Sequence, residues 1–257
     1  MAQVSCSFFS DSLEMGTSVS VVLPQATEAQ IGVAPAAGGG DPPVLYLLHG
    51  LSDDHTAWVR YTSIERYAAA AGLAVVMPAV GRSFYADEVH GQRYWTFVSE
   101  ELPRVMRSFF RFSERPEDTF VAGLSMGGYG AFKLALTHPD RFAAAASLSG
   151  ALDVVELAAG PERRELFEGV FGGVPGPRDD LFALLAAAAG ADASSLPALH
   201  VSCGTDDPLL SMSRRFASEA ERAGAKVTTD LRPGGHEWGL WDAVIRDVID
   251  WLPLRRS

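Results

Sequence analysis

An α/β architecture, a mostly parallel central sheet with helices on both faces, is what this chain predicts. Three observations carry that reading. Continuous apolar runs such as Val44-Leu45-Tyr46-Leu47-Leu48 suit strands buried on both faces, as parallel strands are. Longer segments with helical periodicity separate these runs, so strand and helix alternate. The 257 residues are 47% hydrophobic, enough for one large core, and residues 1–257 read as a single domain.

Taken in order, residues 4–9 and 17–23 are β-like, and the second alternates and is β-branched, as in an antiparallel edge hairpin. Residues 34–40 are small and read as a loop. Strand 44–48 follows, then a helix over 64–71 ended by Gly72, then a buried strand over 73–77 stopped by Pro78. Residues 94–110 have helical periodicity, with Pro103 as a break or first-turn residue. Further strands are expected over 119–124, 142–148, 199–203 and 226–231. Helices are expected over 128–136, 209–223 and 240–251. Residues 152–195 break the rhythm with Gly169, Gly172-Gly173, Pro175, Gly176 and Pro177 between helical pieces. They read as an insertion between two strands, long enough to cover a site as a small cap.

Bulk properties narrow the partners. A net charge of −11, from 21 basic and 32 acidic residues, argues against nucleic acid or an anionic membrane, which reward a basic face. Two cysteines, Cys6 and Cys203, make no disulfide framework. The opening residues lack the basic and apolar regions of a signal peptide, and the longest apolar run, 181–189, is too short to span a bilayer. A cytoplasmic protein is therefore expected. A homo-oligomer is allowed, and the sequence does not decide it.

The stretch that carries chemistry is Gly123-Leu124-Ser125-Met126-Gly127, a G-x-S-x-G between a predicted strand and a predicted helix. That context suits a nucleophile elbow: the sharp turn strains the serine, and flanking residues without Cβ let strand and helix approach closely. A serine nucleophile needs a base, and the base an orienting carboxylate, both after later strands. His236 follows the strand at 226–231 through Gly234-Gly235 and is the expected base. His49, His55, His90, His138 and His200 lack such a position. Of two adjacent aspartates after the strand at 199–203, Asp207 is preferred as the acid because the loop after Gly204 has length to turn it inward. Asp206 stays open as the second choice. The oxyanion donors are expected to be the N–H groups of Met126 and, in the loop His49-Gly50-Leu51, of Leu51.

Among the aromatics near these loops, Trp58 and Trp238 are the expected substrate-binding residues. Phe84 and Tyr85 are further candidates, while Trp241 and Tyr129 are assigned to packing. No metal is expected, since the adjacent side chains of Asp53-Asp54-His55 diverge. No cofactor is expected either: there is no phosphate-binding G-x-x-x-x-G-K-[ST] loop and no G-x-G-x-x-G after the first strand.

Together, His49-Gly50-Leu51, Glu101-Leu102-Pro103, the segment 123–130, Ser149-Gly150-Ala151-Leu152, Cys203-Gly204-Thr205 and Gly234-Gly235-His236-Glu237-Trp238 resemble the esterase D group of α/β-hydrolases, above all bacterial tributyrin esterases. The resemblance runs from about Val44 to Trp251. It implies an α/β-hydrolase fold and a cofactor-free serine carboxylesterase acting on short-chain acyl esters. In those esterases the acid lies three residues after the glycine, which points to Asp207. Formylglutathione hydrolases of the group carry a cysteine just after H-G-L; this chain has Ser52-Asp53-Asp54, which argues against that thioesterase activity. An acyltransferase on the same triad and a non-catalytic binding protein on the same fold are the competing readings.

Overall fold

The apolar runs become strands and the amphipathic segments cover them. The structure is a computed structural model that describes residues 1–25, 31 and 40–255, so the loop expected over 34–40 lies outside the described residues except for Gly40. The strands are β1 (Ala2–Ser10), β2 (Met15–Leu23), β3 (Val44–Leu48), β4 (Ala74–Pro78), β5 (Thr119–Leu124), β6 (Ala144–Leu148), β7 (Ala198–Gly204) and β8 (Val227–Arg232). They form one sheet in the order β1-β2-β4-β3-β5-β6-β7-β8. From β3 through β8 all pairings are parallel; β1 and β2 join β4 as an antiparallel hairpin. This is the α/β-hydrolase architecture.

Strand periodicity sorts the core into two layers. Val44, Tyr46 and Leu48 face one layer with Val121, Phe132 and Phe216. Leu45 and Leu47 face the other with Phe120, Ile64 and Ile245. Helices α5 (Met126–Thr137) and α9 (Leu210–Arg222) meet over the first layer, with the Phe132 and Phe216 rings 5.0 Å apart. Helices α2 (Ile64–Ala71) and α10 (Trp238–Trp251) cover the second.

Three details depart from the sequence reading. Helix α1 (Ala57–Tyr61) is short, and its N-cap residue Thr56 makes no side-chain capping bond. Pro78 does not stop its strand; it is the last paired residue, opposite Val19. Pro103 is a first-turn residue, as expected, and the unexpected detail is the turn before it. Helix α3 (Tyr94–Thr96) runs through a π-turn, Phe97–Glu101, into α4 (Leu102–Phe109). The wider turn accommodates a residue without an N–H. The Ser99 carbonyl, four residues before Pro103, instead accepts the Arg141 Nη2–H at 2.6 Å. The π-turn also aims Glu101 at the β1–β2 turn, where its carboxylate accepts the Ser10 hydroxyl at 2.6 Å and the N–H groups of Asp11 and Ser12 at 2.8 and 2.9 Å. The edge hairpin is thereby tied to the helical layer.

Between β6 and β7 lie α6 (Val154–Ala159), α7 (Arg164–Phe171) and α8 (Leu181–Asp192). Asp179, just before α8, forms a buried ion pair with Lys133 of α5 at 2.6 Å. Lys133 Nζ also donates to the Tyr85 carbonyl at 3.1 Å and lies 4.5 Å from the Trp95 ring centroid. Among the described residues no helix is long and apolar enough to cross a membrane.

Candidate active site

At the carboxyl end of β5 the chain reverses in one residue. Ser125 has φ +53 and ψ −117, a conformation costly for a residue with a side chain. Its neighbours show why glycines flank it. A Cβ on Gly123 would lie 2.3 Å from the Gly127 carbonyl oxygen, and one on Gly127 would lie 2.4 Å from the Leu48 carbonyl oxygen. Strand β3, β5 and α5 therefore close on one another only through bare backbone. The turn is held by the Ser125 N–H to the Leu148 oxygen at 2.9 Å and by the Ala151 N–H to the Ser125 oxygen at 3.0 Å.

The turn presents Ser125 Oγ 3.0 Å from His236 Nε2, and His236 Nδ1 lies 2.9 Å from Asp207 Oδ2. An ionised carboxylate only accepts, so Nδ1 carries the ring proton and Nε2 is free to accept from the serine. The two late loops are zipped together: the Thr205 N–H donates to Arg232 oxygen at 2.9 Å and the Asp206 N–H to Gly234 oxygen at 3.0 Å. Gly204 must be bare for this, since a Cβ there would meet the Gly234 oxygen at 2.2 Å. The zipper turns Asp207 inward and leaves Asp206 exposed. Asp207 both orients the histidine and caps the following helical turn, where its Oδ1 accepts the Leu209 N–H at 2.8 Å.

Asp207's side chain is sealed from solvent while that of His236 is 31% exposed, so the base opens to the cavity and the acid does not. Burial pushes the Asp207 carboxyl up, but donation from His236 and the Leu209 N–H, with a smaller effect of the Ser149 hydroxyl, outweighs it and holds the group below the usual carboxylate range.

His49 takes a different part. It is buried, its Nε2 accepts the Val80 N–H at 3.1 Å, and its Nδ1–H donates to the Gly50 carbonyl at 2.7 Å. Burial lowers its pKa, so it is a neutral brace for the loop that carries Leu51. Tyr85 braces the same loop by donating its hydroxyl proton to the His49 carbonyl at 3.0 Å. Gly50 approaches the serine, its Cβ direction pointing to within 3.7 Å of Ser125 Cβ. Among the described residues neither the Leu51 nor the Met126 N–H donates to another protein group. Both residues line the cavity in front of Ser125.

That cavity has a volume of about 1040 Å³. Phe84, Leu157, Phe167, Leu209 and Met212 give it apolar walls, and Asp53, Arg82, Glu162, Arg163 and Glu237 give it a charged rim. Of the two tryptophans expected to bind substrate, Trp238 lines the cavity and Trp58 does not. Trp58 is fully buried behind it, its indole N–H donates to the Leu48 carbonyl at 3.1 Å, and its ring packs edge-on against Trp238 at 5.3 Å. Proximity in sequence to the oxyanion loop placed it near the site, but the turn into α1 points it into the core. Tyr85 and Tyr129 are likewise buried braces, the latter donating to the Asp179 carbonyl at 2.7 Å. Trp241, assigned to packing, packs and also contributes to the cavity wall.

The remaining histidines lie apart from this cluster. His138 stacks on Trp95, His200 packs edge-on against Trp251, and His55 and His90 sit on loops. Asp54 is occupied by the Thr56 N–H and hydroxyl, and among the described residues no group of three His, Cys, Asp or Glu side chains is placed to hold a metal ion. Sequence reasoning did not single out Arg82 or Arg163, and it named Ser149 only within a motif of the resemblance, without a role. Only Ser149 carried a signal, its place beside Gly150 after a strand.

Residues 10–251 match the family described as "Putative esterase". An acetyl esterase of Caldicellulosiruptor saccharolyticus is 28% identical over 98% of both chains. Two solved structures from Staphylococcus aureus are 34% identical and covered over 98% of both chains. One is the fluorophosphonate-binding serine hydrolase FphF, with a TM-score of 0.87, and the other the S-formylglutathione hydrolase FrmB, with a TM-score of 0.84.

Proposed function

The chain belongs to the esterase family and is a carboxylic ester hydrolase, and from that premise we propose that it cleaves short-chain acyl esters through a Ser125–His236–Asp207 triad. The observation that carries the reading is the unbroken hydrogen-bond relay from Ser125 Oγ through both ring nitrogens of His236 to a sealed carboxylate.

In this reading Ser125 Oγ attacks the ester carbonyl while His236 Nε2 takes its proton. Asp207 keeps the proton on Nδ1 and stabilises the imidazolium as it forms. The developing oxyanion is held by the Leu51 and Met126 N–H groups, the latter at the positive end of α5. His236 then protonates the departing alcohol. Water, activated by the same imidazole, attacks the acyl-enzyme and frees Ser125. An alcohol taking the place of water gives the acyltransferase outcome. The insertion acts as a cap wall, contributing Leu157 and Phe167 to the acyl side.

Two measurements test this. The cavity is at the large end of ligand sites, so each added methylene can be buried for about 0.8 kcal/mol, or about fourfold in kcat/KM. Across p-nitrophenyl esters kcat/KM is expected to rise from acetate to butyrate. A fall from acetate to butyrate overturns the assignment of this cavity to the acyl group. The rate is also expected to fall as the solution is acidified and His236 takes up the proton that disables it as a base. A flat profile down to about pH 4, in protein still folded, overturns His236 as the base. Asp207 is depressed rather than raised, so its contribution to stability is present above the ordinary carboxylate range and is lost as pH falls through its lowered value.

Thioester hydrolysis is the second reading, favoured by the likeness to FrmB over nearly the whole of both chains. Turnover of S-formylglutathione against p-nitrophenyl butyrate separates the two. We also place the enzyme in a reducing compartment such as the cytoplasm, which suits two cysteines, Cys6 and Cys203, that form no disulfide.

A further inference from the structure

Ser149 is the second strained serine beside the site. It leaves β6 with φ +48, a left-handed conformation that a glycine adopts without cost and a residue with a Cβ does not. It is 1% exposed, and its N–H is fixed to the Ser202 carbonyl on β7 at 2.7 Å. The following chain is equally tight, since a Cβ on Gly150 would meet Ser147 Oγ at 2.1 Å. Backbone geometry alone therefore asks for glycine at 149, and a hydroxyl stands there instead.

That hydroxyl ties the strand end to the site. Ser149 Oγ accepts the Trp241 indole N–H at 3.1 Å. The Ser149 hydroxyl is also among the groups that hold the Asp207 carboxyl below the usual carboxylate range. The Trp241 ring in turn stands edge-on to the His236 ring, at 4.8 Å and 87°. The contacts run in a line from the strained serine to the acid: Ser149 to Trp241, Trp241 against His236, and His236 to Asp207.

We propose that Ser149 and Trp241 are positioning residues of His236, Ser149 fixing the indole and Trp241 fixing the imidazole plane so that Nε2 stays on Ser125. The proposal rests on the triad reading given above. It assigns a role to a strained residue that touches neither the cavity nor the nucleophile.

The experiment compares wild type, Ser149→Gly, Ser149→Ala and Trp241→Phe on p-nitrophenyl butyrate, with thermal melting and fluorophosphonate labelling of each. Both Ser149 variants are expected to lose about 10- to 100-fold in kcat with KM within about twofold of wild type, because orientation and not binding is lost. Ser149→Gly relieves the strained φ, so its melting temperature is expected to hold or rise while its kcat falls. A merely structural serine does not give that opposition. Trp241→Phe keeps the ring and removes the N–H, and combined with Ser149→Gly it is expected to cost no more than the worse single variant. Wild-type kcat in Ser149→Gly, or a loss expressed in KM alone, overturns the proposal. Failure of the fluorophosphonate to label wild type overturns the triad reading itself, so the two failures are distinct.

Discussion

Replacing Ser125 by alanine is expected to lower turnover of a chromogenic acetate ester by about a million-fold while leaving the fold intact. The elbow does not depend on the hydroxyl: it is held by the Ser125 N–H and carbonyl, both in backbone hydrogen bonds, and by close contacts at Gly123 and Gly127. What the hydroxyl supplies is the atom 3.0 Å from His236 Nε2. Alanine at φ +53 keeps the strain of the serine, so its melting temperature is expected to stay near that of wild type. Glycine at the same position is expected to be equally inactive but about 1 kcal/mol more stable, or about 2–4 °C in melting temperature. Near-wild-type turnover in Ser125→Ala overturns the nucleophile, and a destabilised Ser125→Gly overturns the strain argument.

Lys133→Met is expected to be the most destabilising single change outside the sheet, by about 3–5 kcal/mol. The cation is 3% exposed, and its loss leaves the Asp179 carboxylate, 10% exposed, with only the outlying Arg178 guanidinium at 3.4 Å. It also leaves the Tyr85 carbonyl without its donor. Burial pulls the Lys133 ammonium below its usual range against the pull of Asp179, so the pair survives on close geometry and not on an easy environment. Adding Asp179→Leu to Lys133→Met is expected to recover most of the lost stability, because an apolar pair carries no desolvation cost. Equal melting temperatures for the single and double variants overturn this account.

How much of this was legible in the sequence differs by element. Strands β3, β4 and β5 were legible because burial on both faces leaves an unbroken apolar run. Helix α1 was not, since five residues carry little periodicity. The π-turn before Pro103 was hidden because a proline announces a break or a first turn and does not say how the preceding turn widens to receive it. In the site, Ser125, His236 and Asp207 were legible because each follows its own strand through small residues that the close approach requires. Trp58 misled because sequence distance from a loop says nothing about which way a helical turn points a side chain. Ser149 and the neutral brace at His49 were illegible for a common reason. Their roles lie in hydrogen bonds to residues far along the chain, and neither a strained φ nor a tautomer leaves a compositional mark.

The zipper between the acid and histidine loops also decides how the enzyme fails. The nucleophile stands at the centre of the sheet, with neighbours on both sides of β5, whereas the histidine hangs from β8, which has a neighbour on one side only. Margins of a sheet open at lower free energy than its middle. A brief detachment of β8 from β7 would carry His236 away and leave Ser125 in its place. On the triad reading, inactivation by heat or denaturant is thus expected to begin at this border, with activity lost before the core unfolds.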